Sequence, residues 1–294
     1  MPLRGGQILL LGLALLLGSA AQAEAPAADR TKKILIVGDS WAMSLTKENV
    51  DGFPAPDVFD DALVANGLGA YETQGARTAW GGRRAEGWAK PDMLARITDE
   101  LKAYPSIDFV HLIIGGNDFL AQVEQEDFKT LSVAGRGLRW AVITSNIETI
   151  VATCLAVRPN LHVVLAGYDF LDFDRAAHVW KKSFHDVAPA TLNGWLVEFS
   201  RRVLEFAQGE PRCTYIQNFG VLHYWFGAPP RTVPLPGQAP DYAPFPGGDP
   251  TQPMPSSITP DGIHPDAIAH ARLLQNAIDL CYAPRLRAAT PAKP

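Results

Sequence analysis

The sequence predicts an α/β fold built on a five-stranded, mostly parallel sheet with helices on both faces. Three observations predict it. Short apolar runs bounded by glycine and polar residues recur along the chain, and such runs suit strands buried on both faces. Helix-period stretches separate them, so strand and helix alternate. Chemically distinctive residues fall in loops just after the strands, at the edge where open α/β sheets bind ligands. Right-handed crossovers between parallel strands then put helices on both faces.

The chain opens on a processing segment. Arg4 is the only early charge, Ile8 to Leu17 is almost unbroken apolar sequence, and Ala21-Gln22-Ala23 has a small-x-small pattern. This reads as a secretory signal peptide over residues 1–23, cleaved after Ala23, because the run is too short for a membrane span. Residues 24–32 read as a flexible arm. The first strand is Lys33–Gly38, whose run Ile34-Leu35-Ile36-Val37 ends in Gly38-Asp39-Ser40. A short helix over Ala42–Asn49 follows. A weaker second strand lies near Ala70–Thr73.

The helix at Asp92–Ala103 carries Met93, Leu94, Ile97 and Leu101 on one face. The third strand is Phe109–Gly115. Ala141–Val157 is helical, with Ile143, Ile147, Ile150, Val151 and Cys154 in a stripe, and Arg158-Pro159-Asn160 ends it. The fourth strand is Leu161–Ala166, and a helix over Leu192–Gln208 closes at Gly209. The fifth strand is Thr214–Asn218, and the last helix is Asp266–Cys281. Residues 228–260 are crowded with proline and glycine. A loop of that length inside a compact domain reads as a lid or binding loop. One domain therefore spans 33–284, followed by a tail at 285–294, with no internal repeat.

Composition narrows the function. The 294 residues are 47% hydrophobic and 19% charged, with a formal net charge of −5. That supports a packed core and, without a basic stripe, argues against nucleic acid as a partner. After the leader no segment reads as a run of ~20 apolar residues, so no stable membrane insertion is expected once the leader is removed. Of Cys154, Cys213 and Cys281, two could pair in an oxidising compartment, although buried thiols are the simpler reading. There is no Cys-x-x-Cys, and His178 and His185, beside Asp174 and Asp186, read as surface polar residues rather than metal ligands.

Ser40 at the tip of the first strand is either a helix N-cap or a nucleophile. Three later segments bear on this choice: Trp80-Gly81-Gly82-Arg83-Arg84-Ala85-Glu86-Gly87-Trp88, Gly115-Gly116-Asn117-Asp118, and Asp261-Gly262-Ile263-His264-Pro265. A serine nucleophile needs a base, the base needs an orienting carboxylate, and the oxyanion needs donors. His264 is the histidine with a carboxylate, Asp261, in the same Gly- and Pro-framed turn. Asn117 offers a side-chain amide, and a glycine of the second segment offers an unobstructed N–H. Asp39 and Asp118 read as residues that hold their turns.

In carrying these four blocks in this order, the chain resembles the GDSL, or SGNH, hydrolase family from Lys33 to about Tyr282. The resemblance implies a three-layer α/β/α, flavodoxin-like fold. It implies Ser40 as nucleophile, His264 as base and Asp261 as its partner. Ser40 N–H, Gly81 N–H and the Asn117 amide would form the oxyanion hole. Gly82 competes with Gly81, but Gly81 keeps Ala85 and Trp88 in step with the family's small and apolar positions. The nucleophile elbow of α/β-hydrolases is excluded, since Gly38-Asp39-Ser40-Trp41-Ala42 lacks the second glycine.

The expected activity is that of a secreted or periplasmic carboxylic ester hydrolase that needs no cofactor or metal. Carbohydrate O-acetylesterase, lysophospholipase and thioesterase activities are the alternatives. An inactive glycan- or lipid-binding module is the reading from another class. The loop after the fourth strand, Tyr168 to Phe173, and the Pro-rich loop are the expected pocket walls, with Arg83 and Arg84 on the surface.

Overall fold

A computed structural model describes residues 30–46, 57–228, 230 and 249–288. The signal segment, most of the Pro-rich loop, residues 47–49 of the expected first helix and the end of the tail lie outside the described residues.

In chain order the elements are β1 (Thr31–Gly38), α1 (Ser40–Met43), α2 (Val58–Ala65), β2 (Tyr71–Gln74), α3 (Ala85–Trp88), α4 (Pro91–Ala103), β3 (Phe109–Ile113), α5 (Gly116–Val123), α6 (Val133–Val157), β4 (His162–Ala166), α7 (Phe173–Trp180), α8 (Pro189–Gly209), β5 (Cys213–Ile216), α9 (Val221–Phe226), α10 (Ala267–Ala277) and α11 (Ala283–Ala288). The sheet order is β2-β1-β3-β4-β5, and every pairing is parallel. This is the flavodoxin-like order, with its switch point between β1 and β3. Gly38 pairs with Ile113 there, so the ends of β1 and β3 deliver Ser40 and Asn117 side by side.

The apolar run of β1 suits its interior place between β2 and β3: Ile34, Leu35, Ile36 and Val37 are all fully buried. On one face α6 packs against both α4 and α8, with α3 against α4 and α6. The other grouping joins α2, α9 and α10, with α10 running through a π-helical turn (Ile278–Tyr282) into α11.

Several boundaries differ from the sequence reading. β1 begins at Thr31, so the arm is shorter at that end, and α11 enters the expected tail. The helix after Ser40 is only four residues long, because the chain turns away at Ser44 and Leu45. α6 begins eight residues earlier than its apolar stripe. The Ser132 hydroxyl caps it by accepting from Gly135 N–H at 3.1 Å. By length and composition α6 could cross a membrane, which the stripe over Ala141–Val157 alone does not signal. In the fold it buries Trp140, Ile143, Ile147, Ile150, Val151 and Cys154 between α4 and α8. All three cysteines are buried and unpaired. Burial pushes the Cys154 and Cys213 thiols up to about 12 and Cys281 up to about 11, which makes them poor nucleophiles.

Candidate active site

Gly38 ends β1 because nothing larger fits. Its φ is +147°, and a Cβ there would lie 1.9 Å from the Ile113 carbonyl oxygen. The Gly38 carbonyl accepts from Trp80 N–H at 3.0 Å and from the Trp88 indole N–H at 3.1 Å. The glycine block is thereby fastened to the strand that carries Ser40. Asp39 then caps α1, its Oδ1 accepting from Trp41 N–H at 3.0 Å. This leaves Ser40 as the first residue of the helix, with its side chain open to the cleft.

His264 Nε2 lies 2.8 Å from Ser40 Oγ, and His264 Nδ1 lies 2.6 Å from Asp261 Oδ2. Ser40 and His264, 224 positions apart in the chain, are thus joined by one continuous hydrogen-bonded line. Asp261 is itself locked, its Oδ1 accepting from Ile263 N–H at 2.9 Å and His264 N–H at 2.7 Å. Burial acts to raise its pKa, but the bonds from His264 and Ile263 outweigh it and hold the carboxyl at about 2. Asp261 is therefore an anion at neutral pH, placed against Nδ1 of a ring whose Nε2 faces the serine.

The turn holding these residues is docked on both sides. Gly262 sits at φ +83°, and a Cβ would come within 2.4 Å of the Asp172 carbonyl oxygen. The Gly262 carbonyl accepts from Asp172 N–H at 3.0 Å, at the start of α7. The Trp41 indole N–H donates to the Ile263 carbonyl at 3.1 Å, tying the histidine turn to the serine helix.

Asn117 lies in the first turn of α5. Its Nδ2 donates to the Arg83 carbonyl at 3.0 Å. Asp118 Oδ2 accepts from Ala85 N–H at 2.7 Å, so the glycine block and α5 are laced together. Burial raises the Asp118 pKa. In the glycine block, Arg83 N–H closes a turn onto the Trp80 carbonyl with Gly82 at φ +70°. Gly82 lines the cleft, together with Ser40, Asn117 and His264. Gly81 sits one residue back in that turn.

Behind the serine is a second, buried network. Asp39 is 1% exposed. Its Oδ2 accepts from the Tyr168 hydroxyl at 2.5 Å, and that hydroxyl accepts from Gly116 N–H at 2.9 Å. Tyr168 therefore bridges the residue before Ser40 to the residue before Asn117. Burial pushes the Asp39 carboxyl up to about 6, even though the Tyr168 and Trp41 bonds favour its anion.

The cleft is about 480 Å³, lined by Ser40, Met43, Ser44, Gly82, Asn117, Leu120, Trp180, Lys182, Ile263 and His264. The expectation that Tyr168 to Phe173 would wall the pocket holds in part: Tyr168 and Leu171 line a small cavity against Ser40 and Asn117. Tyr168, Phe170, Leu171 and Phe173 are buried, and none of them lines the wider cleft. Trp180, Met43 and Leu120 take that place, and no motif marks them in the sequence. The Pro-rich loop falls largely outside the described residues. His185, read as a surface residue, bonds the Glu124 carbonyl through Nε2 at 2.7 Å.

The profile of the GDSL-like lipase/acylhydrolase family matches residues 36–272, a span that holds all four blocks. The chain belongs to that family. Among solved structures, this GDSL-like chain is similar to the lipase Lip_vut3 from a goat rumen metagenome, at 12% identity and a TM-score of 0.51, covering 86% of this chain and 98% of the other. It is similar to a candidate GDSL-like lipase from Parabacteroides merdae at 14% identity and a TM-score of 0.51, covering 86% and 98%. A family 3 carbohydrate esterase from Clostridium thermocellum matches at 14% identity and a TM-score of 0.46, covering 89% and 100%. At such identities the first two likenesses speak for the shared fold. Among curated proteins, none matches the sequence.

Proposed function

We propose that this GDSL-family chain is an exported serine hydrolase of carboxylic esters. The observation that carries the reading is the unbroken line Ser40 Oγ–His264–Asp261 opening into a cleft. Ser40 attacks the acyl carbonyl while His264 Nε2 takes its proton. Asp261, an anion through the whole cycle, stabilises the imidazolium and keeps the ring from rotating. The oxyanion of the tetrahedral intermediate is met by Ser40 N–H, by the second N–H of the Asn117 amide and by Gly81 N–H. The imidazolium then protonates the leaving alcohol. Water enters, gives a proton to His264 and attacks the acyl-enzyme; the imidazolium then returns the proton to Ser40 Oγ as its bond to the acyl carbon breaks and the acid leaves.

The apolar run and the small-x-small pattern of the first 23 residues support export, with a mature protein beginning at Glu24; the N-terminal mass of protein from a periplasmic fraction tests that part. The activity is tested with p-nitrophenyl acetate and butyrate, comparing the native protein with Ser40→Ala. Hydrolysis falling by several orders of magnitude in the variant supports the reading, as expected where serine and histidine act as a unit. Equal rates overturn it.

A further inference from the structure

The cleft has a shape and a chemistry that the hydrolytic machinery does not use. Four apolar side chains from four segments converge beside Ser40: Met43 of α1, Leu120 of α5, Trp180 of α7 and Ile263 of the histidine turn. At about 480 Å³ the space lies within the range of pockets that hold a whole small ligand. An acetyl group would leave most of it unfilled, and an unfilled wall loses its dispersion contacts. The polar groups at the border already have partners. The Ser44 hydroxyl donates to the Ser40 carbonyl at 2.9 Å, and the Lys182 ammonium pairs with Glu124.

Trp180 stands out among the four. It is 49% exposed, and its ring lies edge-on to His264 with centroids 5.9 Å apart. It is also held there. The next residue, Lys181, takes a left-handed conformation at φ +52° and ends α7. Lys182 and His185 then both bind Glu124, through its carboxylate and its carbonyl respectively. Glu124 closes α5, the helix whose first turn carries Asn117. A half-exposed indole fixed against the proposed base, at the mouth of an apolar trough, is an apolar surface that a substrate would cover.

We propose that the trough formed by Met43, Leu120, Trp180 and Ile263 receives an unbranched alkyl acyl chain of medium length, and that Trp180 selects such chains over acetyl. The proposal rests on the ester-hydrolase reading and names its substrate class. Each methylene laid into the trough should raise kcat/KM by about fourfold, the equivalent of its burial from water, until the trough is filled.

The experiment is an acyl series at constant leaving group: p-nitrophenyl acetate, butyrate, hexanoate and octanoate, with the native protein, Trp180→Ala, Trp180→Phe and Ser40→Ala. A rising series in the native protein is expected. The hexanoate-to-acetate ratio should fall at least about tenfold in Trp180→Ala, a loss of ~1.4 kcal/mol of selectivity, and be partly restored in Trp180→Phe. Using the ratio cancels any change in the chemistry caused by the contact with His264. A thermal melt checks folding, and Trp180→Phe keeps the ring if the alanine variant is unstable. A native series that falls from acetate, or a ratio unmoved in both Trp180 variants, overturns the trough while leaving the hydrolase intact. So does a second series, acetate esters of lengthening alcohols, if the gain appears there instead. Hydrolysis of every ester as fast by Ser40→Ala as by the native protein overturns both readings, and is recognisable because it does not depend on chain length.

Discussion

Two aspartates flank the Ser40–His264 pair, and the fold treats them oppositely. Asp39, beside the serine, is sealed under the sheet edge against Tyr168, and burial lifts its carboxyl to about 6. Asp261, three residues before the histidine, sits at a turn where backbone N–H groups and the imidazole hold it at about 2. Environments that push two carboxylates apart assign them different work. Only Asp261 touches the histidine, and it remains charged. Asp39 instead organises backbone: it caps α1 and, through Tyr168, reaches Gly116. In the proposed mechanism one aspartate serves the proton, while the other ties the turn before Ser40 to the residue before Asn117.

Replacing each aspartate by its amide sharpens the contrast most. Asp261→Asn should lose on the order of 10⁴-fold in kcat, because the amide selects the wrong histidine tautomer and cannot stabilise the imidazolium. KM should hardly change. Asp39→Asn keeps one acceptor for Trp41 or Tyr168 and loses the other, so a drop of roughly tenfold is expected, the scale of one buried hydrogen bond. Steady-state kinetics on one ester ranks the two variants. Equal losses would erase the distinction.

Tyr168→Phe breaks the buried bridge while retaining the ring that packs edge-on to Trp41 at 5.0 Å. About a fivefold fall in kcat is expected from one lost hydrogen bond, with KM unchanged. A change confined to KM would mean that Tyr168 faces substrate rather than Asp39.

The smallest effect is on stability, and its sign separates the aspartates. The Asp39 pKa is raised above its ordinary 3.8 in the folded state, to about 6, so the folded protein binds the proton more tightly. Its contribution therefore falls as pH rises from about 4 to about 6. Asp39→Asn should gain stability relative to the native protein over that interval. Asp261 is held down at about 2, so its contribution is present above about 4 and disappears as pH falls towards 2. Asp261→Asn should be less stable than the native protein near neutrality and converge with it in acid. Thermal melts of the three proteins between pH 3 and 8 read both slopes.

Much of this architecture is legible in the sequence. Ile34 to Val37 are the residues of a strand buried on both faces, and β1 lies inside the sheet, between β2 and β3. Asp261 and His264 are close in sequence, so their hydrogen bond is a local event that spacing announces. Ser40 to His264 is not local, yet the order of the blocks places both at one sheet edge. The less visible parts have physical reasons. Gly135 and Gly137 interrupt the apolar stripe of α6, and only the Ser132 cap marks its true start. Thr31 and Cys213 extend strands where polar or isolated residues carry no periodic signal. Tyr168 reads as a pocket aromatic because it follows a strand, but its hydroxyl finds a carboxylate 129 residues away. Trp180 belongs to no motif. Its place depends on a left-handed turn at Lys181 and on two contacts to Glu124, none of which spacing can reveal.

The most direct test of the central claim is covalent labelling with a fluorophosphonate, which requires a serine activated by a neighbouring base. Intact mass and peptide mapping should find one adduct per chain, on Ser40, in the native protein. It should be absent from Ser40→Ala and far slower to form in Asp261→Asn than in Asp39→Asn. An adduct on another residue, or native protein that stays unlabelled, would contradict the assignment of Ser40, His264 and Asp261 as the reacting group.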